Sequence, residues 1–346
     1  MARAFAARRL LLAVTLVAWA ASGCAGAGHP RPSLEATDRV APYVDMAFTG
    51  TPDLAGLAAA SGVRLFNQAF VTAGQGCEPT WGGWIRYDDP TIAARIRELR
   101  RAGGDVRVSF GGVRPPDLAE ACASVTALEA AYRKVVDTFG LVRVDFDVEG
   151  QALDDPPSIQ RRNEAIHLLQ VSAKRRGTTL RVSYSLPAGP AGLTGDAEML
   201  LRDARARGVA VDAVNLLAMN YGPGPGGMAD RATAAAQSTK TLIQEIWPGT
   251  SDAQAWRMVA ITPMIGVNNV VADTFRPDDA IRLAQFAQAH GVGWLSFWSI
   301  NRDQPCPGGP VTDQALSTCS GINQRPGDFA KIFVRYRAAS APPAEG

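Results

Sequence analysis

The stretch Val142-Arg143-Val144-Asp145-Phe146-Asp147-Val148-Glu149-Gly150 decides how this chain is read. Successive side chains of an extended strand point to opposite faces. Val144, Phe146 and Val148 therefore form one apolar face, while Asp145, Asp147 and Glu149 share the other. At a rise of about 3.3 Å per residue, neighbouring acids stand roughly 6–7 Å apart along such a strand. Three carboxyls on one inward face are costly as structure, because like charges in a poorly solvated site oppose ionisation. The cost falls if at least one keeps its proton near neutral pH, the state a general acid requires. A buried acid cluster paired with Arg143, or a metal site, is the competing account of the same residues.

Working outward, a β-run followed by a helical pattern recurs eight times from about residue 38. The predicted strands are Tyr43–Phe48, Val63–Val71, Val106–Phe110, Val142–Glu149, Leu180–Leu186, Ala213–Tyr221, Met258–Ile265 and Gly293–Ser299. Helical stretches lie between them: Thr91–Ala102, Leu118–Phe139, Ser158–Arg176, Ala197–Arg207, Asp230–Ile246 and Asp278–Ala289, with Pro and Gly at the joints. Strand–helix alternation argues for parallel strands, and eight repeats argue for closure into a single-domain (β/α)8 TIM barrel over residues 38–338. No Gly-rich dinucleotide fingerprint follows the first strand, which disfavours an open doubly wound sheet. In barrels of this kind the chemistry sits at the C-terminal ends of the strands, where the three acids ascend.

The 346 residues, 47% of them hydrophobic, suffice to bury such a core. Net charge is +2, and the first 23 residues carry three arginines and no acid, so the rest of the chain is one unit negative. That balance excludes phosphate-dominated binding to nucleic acid. The three histidines, His29, His167 and His290, are scattered through tether and helical stretches, leaving little material for a Ser-His-Asp triad or a His-rich metal site. No cofactor or metal is expected.

Arg3, Arg8 and Arg9 precede an apolar run from Leu10 to Ala20, the pattern of an export signal over residues 1–23. Ala21-Ser22-Gly23-Cys24 resembles a bacterial lipoprotein cleavage site, with Cys24 the lipidated residue and residues 24–37 a tether. Residues 339–346 read as a disordered tail. Export makes Cys77, Cys122, Cys306 and Cys319 readable as two disulfides. Cys306 and Cys319 bracket one Pro/Gly-rich loop and pair locally, which leaves Cys77 with Cys122.

The acid strand resembles the DxxDxDxE signature of glycoside hydrolase family 18, the chitinases and their relatives. Ser109-Phe110-Gly111-Gly112 resembles the family's SxGG strand, Met219-Asn220-Tyr221 its MxY strand, and Trp298 its tryptophan floor. Thr262-Pro263-Met264-Ile265-Gly266-Val267-Asn268 resembles a segment of bacterial members. Two positions depart from the pattern: Val142 stands where the family has its first Asp, and Gly222 where an Asp often follows the tyrosine.

The resemblance implies a retaining, substrate-assisted hydrolase of β-1,4-linked N-acetylglucosamine polymers. Glu149 would be the acid, Asp147 the partner of the acetamido N–H, Asp145 its support, and Tyr221 the donor to the acetamido carbonyl. Trp298, Met219, Asn220 and Ser109 would contact the sugar. Trp81 and Trp84, flanking Gly82-Gly83, would either stack on sugar rings or pack their loop beside Cys77. Trp247 and Trp256 read as structural, and residues 222–227 as a rim loop. Asn268, Asn269 and Asp273 follow the seventh strand and are further candidates for the cleft. The segment from Gly266 to Val292 holds a loop and one helix, too short for a walling insertion, so an open cleft and endo cutting are expected. The partner is a chitin or chito-oligosaccharide chain, the enzyme is expected as a monomer, and membrane contact would come only through Cys24. A non-catalytic glycan-binding protein on the same barrel, or an envelope hydrolase of peptidoglycan or N-glycans, remains an alternative.

Overall fold

A computed structural model describes residues 1, 39–47, 50–114 and 116–338. The expected leader, the tether, Cys24 and the tail beyond residue 338 lie outside these described residues.

Among them, eight strands run parallel: Tyr43–Asp45, Leu65–Ala73, Asp105–Gly111, Arg143–Asp147, Arg181–Gly189, Val211–Leu217, Val259–Thr262 and Trp294–Leu295. Each pairs with the next in chain order. The circuit closes where Ala41 N donates to Leu295 O (2.9 Å), Leu295 N to Arg39 O (2.8 Å) and Tyr43 N to Phe297 O (3.1 Å). With no free edge, every barrel strand has two partners.

Period-2 alternation sorts the side chains into two compartments. Outward residues join the large core between sheet and helices. Phe146, between the two aspartates of the fourth strand, stacks on Phe110 at 5.3 Å and meets the edge of Tyr132 at 5.0 Å. Tyr132 lies on the helix Val125–Phe139, so this cluster anchors the acid strand from outside, each aromatic pair adding about 0.5–1.5 kcal/mol beyond its burial. Inward residues are layered. An apolar layer of Ala41, Leu65, Ala213, Ala260 and Trp294 fills the N-terminal half. Above it lies a polar layer that includes Tyr43, Ser109, Asp145, Ser183, Ser185 and Asn215, all buried.

The helices lie close to their predicted spans, with one break. The stretch expected as one helix from Leu118 to Phe139 is two, Leu118–Ala121 and Val125–Phe139. Cys122 ends the first piece, and Ser124 caps the second by accepting from Ala127 N. Cys122 is bonded to Cys77, and Cys306 to Cys319, as the spacing predicts. The second strand continues into an antiparallel excursion through Pro79–Trp81 and Ile85–Arg86, which carries Trp84 at its turn.

Candidate active site

The fourth strand delivers the three acids as its alternation requires. Its regular pairing ends at Asp147, but Val148 N still donates to Ser185 O (3.0 Å), and Glu149 stays extended at φ −135°, ψ 164°. The alternation therefore survives past the strand's end, and Gly150, at φ +54°, turns the chain away. Asp147 and Glu149 both line a cavity of about 280 Å³ at the C-terminal mouth of the barrel.

Asp145 lies beneath, wholly buried, in a cradle of hydroxyls. Ser183 (2.5 Å) and Ser185 (3.0 Å) donate to Oδ1, and Ser109 (2.6 Å), Ser185 (2.9 Å) and Tyr43 (3.0 Å) to Oδ2. Asp147, 2% exposed, is different: its Oδ1 has no hydrogen-bond partner among the described residues. Burial pushes its carboxyl well above the ordinary range, helped by the charges of Glu149 and Asp145 and by a hydrogen bond with Glu149; the Tyr43 hydroxyl acts in the opposite sense. Burial also raises Glu149, and its bond with Asp147 partly offsets the rise. The two carboxyls thus form a pair that retains a proton at pH values where isolated carboxyls are ionised. Such a pair can deliver a proton to a leaving oxygen and take one back from water.

The floor is aromatic. Trp298 stacks on Phe70 with centroids 5.6 Å apart and planes 14° from parallel, and Tyr43 tilts against both. The glycines of Ser109-Phe110-Gly111-Gly112 make room for this arrangement. A Cβ on Gly111 (φ +99°) would lie 2.1 Å from Asp147 O, and one on Gly112 (φ +86°) 2.7 Å from the Phe70 ring. The acid strand and the floor can approach the third strand only because neither residue has a side chain.

Of the residues predicted to touch a sugar, Trp298, Met219, Asn220 and Trp84 line the cavity, Trp84 with 59% of its surface exposed. Three do not. Ser109 is buried below, spending its hydroxyl on Asp145. Trp81 is 0% exposed, its ring against Phe139 and its Nε1 donating to Tyr87 O, so of the two accounts of this residue, packing holds. Tyr221 is displaced as well. The sixth strand ends at Leu217 rather than at Tyr221, and Asn220 takes φ +56°, so the parity linking Met219 to Tyr221 is lost. The Tyr221 ring lies under Arg231 (4.6 Å), and its hydroxyl is buried without a partner among the described residues. Asn220 is pinned instead by the following loop: Asn268 Oδ1 accepts from its N–H (3.2 Å), and its own Oδ1 accepts from Val270 N (3.1 Å). Of the three polar residues suggested after the seventh strand, Asn269 lines the cavity. Asn268 and Asp273 are buried, Asp273 paired with Arg231 and accepting from Gly222 N.

Sequence reasoning passed over Tyr43, Phe70, Ser183, Ser185 and Asn215. Each comes from a different part of the chain than the acid strand, and only register brings them together. The one local signal was their polar or aromatic character on otherwise apolar strands.

A parallel barrel that lifts a proton-sharing pair of acids to an aromatic-floored cleft defines an acid–base hydrolase of carbohydrate type. No family model matches the chain. A protein of Escherichia coli (strain K12) named "Probable bifunctional chitinase/lysozyme" is 37% identical over 276 residues, which make up 77% of this chain and 31% of that one. Endochitinase 11 of Metarhizium anisopliae is 36% identical over 274 residues, 77% of this chain and 52% of the other. The chain thus spans about a third to a half of the curated relatives it matches. Among solved structures, the catalytic domain of a hyperthermophilic chitinase from Pyrococcus furiosus is 31% identical with a TM-score of 0.78, covering 88% of this chain and 96% of that one. A GH18 chitinase from Pseudoalteromonas aurantia shares the fold at 15% identity and a TM-score of 0.59. The chain belongs to the glycoside hydrolase family 18 chitinases.

Proposed function

We propose that this chain is an exported hydrolase of β-1,4-linked N-acetylglucosamine polymers and oligomers, acting with retention and in endo mode. The observation that carries the reading is the position of Glu149: on the cavity wall beside a buried Asp147, above a cradled Asp145. The Pyrococcus furiosus chitinase domain, also solved in complex with chito-oligosaccharides, supports the substrate class.

In this reading a sugar seats its apolar face on Trp298 and its acetamido group toward Asp147. Glu149 gives its proton to the glycosidic oxygen while the substrate's acetamido oxygen attacks the anomeric carbon, so the leaving sugar departs as an alcohol. Asp147 accepts from the acetamido N–H and stabilises the oxazolinium cation. Water then attacks the same carbon and displaces the acetamido oxygen, whose bond to that carbon breaks, while Glu149 takes the water's proton; two inversions leave the configuration retained. Trp84 and Asn269 stand along the mouth, where further sugars of a polymer would lie. The arginine-led apolar segment at the N-terminus and the two disulfides support export, with Cys24 as the anchoring residue; the protein acts as a monomer.

The test is product release from chito-oligosaccharides, peptidoglycan fragments and N-glycans by the wild type and Glu149→Gln. Cleavage of chito-oligosaccharides, with a loss of about 10²–10⁴-fold in the variant, supports the reading. Binding without cleavage by either protein would make it a lectin, and preference for another glycan would reassign the substrate. The anomer first released, followed by NMR, tests retention. Mass spectrometry of the mature N-terminus tests lipidation at Cys24.

A further inference from the structure

Arg302 closes the short turn Ile300–Arg302 that follows Trp298. Its side chain is 1% exposed, and among the described residues its hydrogen-bond partners are all backbone carbonyls. Burial pushes its pKa down to about 10, so it stays charged at neutral pH. The carboxyl of neighbouring Asp303 is turned instead to Phe329 N (3.1 Å) and Ala330 N (2.8 Å), in the first turn of the helix Asp328–Ala338. A buried cation without an acid is costly, so its position calls for a reason.

The carbonyls belong to two segments far apart in the chain. Nη2 donates to Ile265 O (2.9 Å) and Val267 O (2.6 Å), just after the seventh strand. Nη1 donates to Leu316 O, inside the loop closed by Cys306 and Cys319. The first segment continues as a hairpin, Gly266–Val267 pairing with Thr274–Phe275, and its connection carries Asn269 to the cavity wall. In the second, Leu316 is followed at once by Ser317, on the same wall. The segments also touch directly: Val267 N donates to Ser320 O (2.8 Å), and a side chain on Gly266 would strike that oxygen. Asn268, 0% exposed, pins the hairpin a second time, its Nδ2 donating to Met264 O (2.8 Å) and Gly266 O (3.1 Å).

A planar guanidinium holds two segments at once because its N–H groups diverge in fixed directions, whereas an ammonium presents a single nitrogen. We infer that the disulfide-closed loop is a wall of the glycan site, touching the sugar chain through Ser317, and that Arg302 and Asn268 are positioning residues that set Ser317 relative to Asn269. The inference rests on the reading that this cavity takes a chito-oligosaccharide. A sugar hydroxyl must lie within about 2.5–3.2 Å of its partner, so a loop displaced by about 1 Å forfeits the contact.

The test reads binding by calorimetry, with chitohexaose and the full-length Glu149→Gln protein as parent. Arg302→Lys is expected to raise Kd about 2–10-fold, the worth of one polar contact. Ser317→Ala with Asn269→Ala should raise it to a similar extent, yet add little on the Arg302→Lys background, because the contacts they delete are already lost. Full additivity overturns the inference, as does a Ser317→Ala protein that binds like its parent. A role in folding alone would lower the melting temperature and leave Kd unchanged, which overturns it too. Should Arg302→Lys not fold, Asn268→Ala carries the test. It releases the hairpin but not the loop, so Asn269→Ala should then add little while Ser317→Ala still costs its full share; a Kd equal to the parent's overturns the inference. In the active protein, Arg302→Lys should shift the proportions of products from chitohexaose in the direction that Ser317→Ala does, and unshifted proportions overturn the inference. Because binding is read without turnover, a wild type that binds chitohexaose and cleaves nothing defeats the hydrolase reading alone, whereas no binding by any of the proteins defeats both.

Discussion

At the scale of single residues, two tryptophans three positions apart, flanking Gly82-Gly83, take opposite roles. Trp84 is 59% exposed at the cavity, whereas Trp81 is fully buried. Trp84→Ala is expected to raise KM for longer oligomers about 2–10-fold, the range of one aromatic contact, with stability changed by less than ~0.5 kcal/mol. Trp81→Ala should cost about 3–5 kcal/mol in urea unfolding. The acid pair gives a second test. Asp147 and Glu149 both have folded-state pKa values above the ordinary carboxyl range. They therefore bind a proton more tightly folded than unfolded, and the stability this gives is full at low pH and lost as pH rises through the folded values. Asp147→Asn should accordingly melt higher than the wild type at pH 8, by ~2 °C or more, with the gain shrinking toward pH 4. Calorimetry across that range checks the sign; a gain that grows toward acid would contradict it.

At the scale of elements, the strands were legible where one face is apolar and the other carries chemistry, as in Val144-Asp145-Phe146-Asp147. Glu149 was legible because its backbone stays extended beyond the strand. Tyr221 was not, because a left-handed Asn220 interrupts the alternation, and nothing in Met219-Asn220-Tyr221 announces that turn. The helix Leu54–Ser61 escaped notice because LAGLAAAS offers no contrast between faces. The cradle was illegible for another reason: its serines acquire meaning only when register sets Ser109, Asp145 and Ser183 side by side. The Gly111 approach belongs to this scale too. Gly111→Ala would force a Cβ to 2.1 Å from Asp147 O at a φ of +99°, so a loss of at least ~1–3 kcal/mol is expected. Activity should fall further than stability does, because the displaced group carries Asp147; chemical denaturation and kcat measured together separate the two effects.

At the scale of the whole molecule, the eight-fold alternation in the sequence was enough to predict the barrel, while the bonds that close it, from Arg39, Ala41 and Tyr43 to Leu295 and Phe297, join opposite ends of the chain. The disulfides act more locally. Cys306–Cys319 spans 13 residues and Cys77–Cys122 spans 45. The shorter one encloses Ser317, which lies on the cavity wall. Replacing both cysteines of that bridge by serine should cost about 2–4 kcal/mol, read from the urea midpoint, and should raise KM before it lowers kcat.

The exposed indole at the mouth makes the protein its own sensor. Trp81, Trp256 and Trp294 are buried and Trp247 and Trp298 half-buried, so a collisional quencher such as iodide will reach Trp84, 59% exposed, first among the described tryptophans. Protection of that emission as oligosaccharides of increasing length are added to a cleavage-dead variant would measure, without any label, how many sugar units the cleft holds.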